Sequence, residues 1–163
     1  DPAQGQNCGR VSYGLAETKA EALFLEGHNC PQSVVLAFAD KLSMDAETAA
    51  RLVSAFGGGM SRMREVCGAA SGMLFVLGAL EGYANPADTD GKTALYTHGQ
   101  ALIRAFAETN GKGSFICADI LGKPRLPEPP VPEARTESYY KARPCGKIVR
   151  AAADALGRYL GET

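Results

Sequence analysis

Apolar residues recur at spacings of three and four along almost the whole chain, and alternating strand patterns are nearly absent. This periodicity predicts an all-α fold. Leu15, Lys19, Ala22, Leu23 and Glu26 mark one face of a first helix, with Gly27 as its stop. Asn29 then reads as the N-cap of CPQSVVLAFADKL, where Pro31 in the first turn sacrifices no hydrogen bond. Ser43 restarts a helix that runs through ARLVSAF and ends at Gly57–Gly59. The most apolar window is 66–80, only 15 residues with four Gly or Ser among them. A bilayer span needs about 20 predominantly apolar residues. The window therefore predicts a buried central helix beginning at Cys67 and no membrane span.

Further on, Asp88 or Asp90 can cap a helix whose Leu95, Gly99, Leu102, Ile103 and Phe106 share a face, and Gly111 can end it. Ser114 can cap the short SFICADIL, closed by Gly122. Residues 123–135, KPRLPEPPVPEAR, hold most of the prolines and predict an extended connector draped over the surface. The last helix, PCGKIVRAAADALGRYL, would turn Ile148, Val149, Ala152, Leu156 and Tyr159 or Leu160 inward. The predicted organisation is an extension at 1–14 and one helical bundle at 15–163, the connector preceding its final helix.

Composition narrows the function classes. A chain of 163 residues can bury a core without disulfide staples. Its net charge of −1 lacks the basic excess of a nucleic-acid surface. Nothing in the letters chooses between a cytoplasmic and an exported protein. GKT at Gly91–Thr93 is not a phosphate loop, because Pro86 stands where that motif needs glycine. Nor does GAASG match GxSxG, since Ala69 replaces the first glycine. His28 reads as a polar helix-end residue. His98 is a candidate partner for a cysteine, but no third group to orient it stands out, so a cysteine hydrolase is not favoured.

The five cysteines carry the chemistry. Cys8, Cys30, Cys67, Cys117 and Cys145 are separated by 22, 37, 50 and 28 positions, with no CxxC and no CxxCH. Zinc-ribbon, thioredoxin-type and covalent haem motifs are thereby absent. Four of the five stand at predicted helix starts, where half a positive charge and free N–H groups stabilise a thiolate. Arg62, Arg64, Lys141 and Arg143 lie close in sequence and would act in the same sense. A buried cysteine is ordinarily just a small hydrophobe, but hydrophobes have no reason to gather at helix starts. Gly68 and Gly72 form a GxxxG face that would let a neighbouring helix approach the Cys67 thiol. Cys8, in a polar stretch, is left outside the predicted site.

CGAASG at 67–72 resembles the CGAxxG signature of the C_GCAxxG_C_C family of small redox proteins, named for four cysteines. NCPQSVV at Cys30, GSFICADILG at Cys117 and PCGKIVRAAADAL at Cys145 resemble its other three boxes, and FGGGMSRM suits the approach to Cys67. The likeness runs from about residue 16 to residue 160. Pro31 and the extension with Cys8 depart from the pattern. The resemblance implies a helical, redox-active protein. It also implies a link to part of the split-Soret cytochromes, whose corresponding cysteines hold an iron–sulfur cluster, although their haem motifs are missing here. On that basis Cys30, Cys67, Cys117 and Cys145 would bind one cluster, [2Fe–2S] in form, and exchange electrons with a partner redox protein. Two alternatives stay open: a metal-free dithiol–disulfide protein with Cys67 as attacking thiol, and a structural zinc site. A homodimer joined through the Gly-rich helix face is a further expectation.

Overall fold

The computed structural model describes residues 16–161. The extension, Leu15 and Cys8 lie outside that range. Helices follow in the order α1 (16–25), α2 (Cys30–Ala37), α3 (Ala46–Val53), α4 (Gly57–Met60), α5 (Gly68–Glu81), α6 (Thr89–Thr109), α7 (Cys117–Leu121), α8 (Glu137–Ala142) and α9 (Cys145–Tyr159). Among the described residues there is no strand, only an isolated antiparallel bridge between Val66 and Ile116. The fold is all-α, and no described helix is long and apolar enough to cross a membrane.

The apolar window forms the centre, as its composition demands. α5 packs against α2, α3, α6 and α9, with Ala69, Ala70, Met73, Val76 and Leu77 inaccessible to solvent or nearly so. Val34 and Val35 of α2, Leu102 and Phe106 of α6, and Ile148, Val149, Ala152 and Leu156 of α9 close round it. Full burial of a side chain such as Leu77 contributes about 1.5–3 kcal/mol. The predicted faces of α6 and α9 are thus the observed ones, except that Tyr159 is exposed and Leu160 half-buried.

Local chemistry sets the ends. Asn29 and Gln32 form a reciprocal capping box on α2. After α1, Gly27 adopts φ +111°. Its N–H bonds Phe24 O and the next N–H bonds Leu23 O, a Schellman ending. The face of α1 differs from the predicted stripe: Ala16, Ala20 and Phe24 point inward, while Lys19, Ala22 and Glu26 are exposed. A single apolar side chain every fourth residue is a weaker signal than the Leu-centred pattern that masked it. Asp45, not Ser43, caps α3 by accepting from Thr48 N at 2.7 Å. Helix α8 was not predicted. None of its residues is buried, so it leaves no periodic trace, and Thr136 caps it.

The GxxxG face works as expected. A Cβ on Gly68 would sit 2.6 Å from Pro31 Cδ, and one on Gly72 would sit 2.8 Å from Pro31 O. The approaching helix is α2 of the same chain, so this face is filled internally and is not free for a second copy. Pro31 is the residue that fills it.

Gly72→Ala should lower stability by about 1–3 kcal/mol, because the obstacle is backbone that cannot swing aside. Gly99→Ala, whose Cβ would meet only the side-chain ends of Leu74 (Cδ2, 3.4 Å) and Leu77 (Cδ2, 3.8 Å), should be neutral or slightly stabilising. Urea denaturation of the two variants checks the contrast.

Candidate functional site

All four predicted thiols stand at helix starts: Cys30, Cys117 and Cys145 open α2, α7 and α9, and Cys67 is the N-cap of α5. They line one cavity of about 440 Å³. The stretch before Cys67 shapes one wall through an unusual run of left-handed backbone. Gly58, Gly59, Met60, Ser61, Arg62 and Arg64 all have positive φ, between 55° and 70°. Such strain in non-glycine residues persists only where surrounding contacts over-determine it. Here those contacts are backbone bonds from Cys117 N to Glu65 O (2.6 Å), Ala118 N to Arg64 O (3.2 Å) and Cys67 N to Phe115 O (2.8 Å). Together they set Cys67 beside Cys117. Gly59 is required in that clamp, since its Cβ would lie 2.6 Å from Cys117 Cβ.

Across the cavity Cys30 and Cys145 form the second pair, near enough for each thiol to shift the other's titration. Gly68 also brings α5 to within 3.3 Å of Cys30 Cβ, measured from a Cβ built on the glycine.

The connector is no idle surface loop. Residues 124–136 contain no helix, and Pro130, Pro132, Glu133 and Arg135 line the cavity. Arg135 donates to Phe24 O at 2.9 Å and His28 O at 3.0 Å. Its guanidinium lies over the rings of Phe24, Tyr139 and Tyr140. Glu128 accepts from Arg64 Nε (2.7 Å) and Nη2 (3.0 Å) and from Arg62 Nη2 (3.2 Å). Arg143 pairs with Glu133 and covers the Tyr139 ring. These contacts strap the segment across the thiols.

Arg64 is 3% exposed and points Nη1 at Cys117 Sγ, 3.4 Å away. The expected help from Lys141 is not there; it is exposed and pairs with Glu137. His98 does not meet a cysteine. Its Nδ1 bonds Tyr159 Oη at 2.9 Å, beside Glu81. His28 contributes its carbonyl to Arg135.

Helix starts do not activate every thiol. Burial pushes Cys67 up to about 12, although the N–H groups of Ala69 and Ala70 pull the other way. Burial also raises Cys117 against the opposing pull of Arg64. The hydrogen bond with Cys145, then burial, raises Cys30. Only Cys145 is lowered, to about 7, by the Cys30 hydrogen bond and by Arg143, Arg135 and Arg64. At Cys67, the thiol expected to attack, desolvation outweighs the helix start, whereas Cys145 is the thiol whose surroundings favour the thiolate. Among the described residues no group of three or more His, Cys, Asp or Glu side chains is arranged to hold a metal ion.

Sequence reasoning missed Arg135, Glu128, Glu133 and Tyr139. The available signal was the charges set between prolines in 123–135, which a merely solvated linker does not need.

Four thiols from four separated segments, gathered by helix starts under a charged strap, define a cysteine-centred helical protein. The family described as "Putative redox-active protein (C_GCAxxG_C_C)" matches residues 28–159. The chain belongs to this redox-active family. No curated protein and no solved structure matches it.

Two outcomes follow from the electrostatics. In metal-free protein, iodoacetamide should modify Cys145 first, with a rate rising through about pH 7, while Cys67 stays inert; peptide mass spectrometry after timed quenching reads this. The Arg64 guanidinium holds the Glu128 carboxyl down at about 2. A depressed carboxylate stabilises the fold above its unfolded value and loses that contribution as pH falls through the folded one. The difference in urea midpoint between wild type and Glu128→Gln should thus be constant above about pH 4.5 and vanish toward pH 2.

Proposed function

We propose that the protein is an electron carrier in which Cys30, Cys67, Cys117 and Cys145 hold one iron–sulfur cluster. The observation that carries this reading is that all four thiols, drawn from four separated segments, line one cavity. An all-thiol donor set of that kind suits a cluster. Thiolates are the usual ligands of such clusters. The [2Fe–2S] form is the one implied by the family resemblance.

When bound, the cluster supplies one-electron exchange. The chain's own groups do the rest. Phe24, Ile120 and Ile148 line the cavity with apolar surface and keep water from the sulfurs. N–H groups of Ala69 and Ala70 face Cys67, and Arg64 faces Cys117, so sulfur charge is met by donors on the buried side. Arg64, Arg135 and Arg143 offset the charge of several thiolates. Cys30 and Cys145, only partly buried, mark the side open to a partner redox protein.

A second reading rests on the Cys30–Cys145 contact. There the Cys145 thiolate attacks a partner disulfide, Cys30 displaces the partner sulfur, and both electrons and protons of the two thiols pass to the partner as two new thiols. The resulting Cys30–Cys145 bond would be the oxidised form.

Protein purified without oxygen should be coloured and contain iron and acid-labile sulfide in the ratio of the cluster formula. Serine at any one of the four positions should abolish or cripple loading, and Cys8→Ser should not. Colourless wild-type protein that loses two thiols on mild oxidation, regained with reductant, would transfer the assignment to the second reading.

A further inference from the structure

We infer that Arg64 and Glu128 act as an opposed pair that sets the reduction potential of the thiol site, Arg64 raising it through Cys117 and Glu128 limiting the rise. This deepens the electron-carrier reading.

The geometry is specific. Arg64 is buried, sits in a left-handed backbone conformation at φ +60° and divides its donors between two acceptors. Nε and Nη2 go to the Glu128 carboxylate, 64 positions away, and Nη1 goes to Cys117 Sγ, 53 positions away. A buried guanidinium needs a counter-charge, and Glu128, which Arg62 and Lys123 also contact, supplies it without help from Cys117. Stapling the strap to the 57–66 loop does not require a donor on sulfur either, since Arg62 already holds the strap through Glu128 and Pro129 O. The Nη1 bond is therefore the unexplained part, and it falls on a redox atom. A cation and an N–H donor at a sulfur stabilise the electron-rich, reduced state more than the oxidised one. Hydrogen bonds to sulfur and local charge are the protein's levers on potential. A carboxylate on the far side of the same guanidinium cancels part of that effect.

The two halves of the pair then have opposite signs, which a purely structural staple would not produce. Anaerobic redox titration, followed optically, gives the midpoint potentials. Arg64→Met should lower the potential by about tenfold in the equilibrium constant, or 59 mV for a one-electron centre. Arg64→Lys should recover part of the loss, and Glu128→Gln should raise the potential above wild type. Glu137→Gln removes the same charge at an exposed site and should leave the potential unchanged, because solvent and salt screen it. Iron and sulfide content of the wild type decides the cluster reading separately. If no cluster is present, the same variants are titrated against glutathione buffers by thiol alkylation, with the same signs and 29.6 mV per tenfold. Should Arg64→Met not fold, the upward shift in Glu128→Gln carries the test. Shifts of the same sign in Arg64→Met and Glu128→Gln, or no shift in Glu128→Gln, overturn the inference.

Discussion

The close approach of α2 to α5 is the constraint on which the site depends. Helix axes normally stand 8–10 Å apart because side chains hold them off. At Gly68 and Gly72 nothing projects, and Pro31 enters the space. That single contact sets the start of α2 against the start of α5, and with it Cys30 against the wall that carries Cys67. The clamp between 64–67 and 115–118 adds Cys117, and the packing of α9 on α2 and α5 brings Cys145. No thiol is placed by its own neighbours in sequence alone.

Two electrostatic influences compete at these positions, and magnitude decides between them. A helix start offers a partial charge worth about 0.3–1 kcal/mol near the surface. Removing a thiolate from water costs more, since buried groups shift by several pKa units. At Cys67 burial prevails. At Cys145, partly buried beside Cys30 and faced by three arginines, the attractive influences prevail. The site is thus divided into an inner pair, Cys67 and Cys117, and an outer pair, Cys30 and Cys145, by depth more than by sequence motif.

Much of this was legible in the letters. Strong periodicity gave α6 and α9, the long apolar window gave α5, and Asn29 and Asp88 cap helices as candidates for that role. The four helix-start cysteines were legible because glycine, proline and polar caps announce helix starts. What was not legible shares one property: it depends on contacts across long sequence distances. Arg135 reaches back over 107 positions to His28, and no local pattern encodes such a bond. α8 was hidden because surface helices without a buried face carry no hydrophobic rhythm. The depth of Cys67, and the upward pKa shift that burial causes there, could not be read from a cap and two nearby arginines.

The proline-rich strap has a consequence for biogenesis. As the chain leaves the ribosome, α2 and α5, which can bring Cys30 and Cys67 together, emerge before the strap and α9. Until they do, the pocket has no roof and its fourth sulfur does not exist. Were a cluster held as proposed, the interval between those events would be when it could enter without unfolding anything, and seating of Arg135 and Glu128 would end it. Its insertion would then be coupled to vectorial synthesis through the position of the strap after α5.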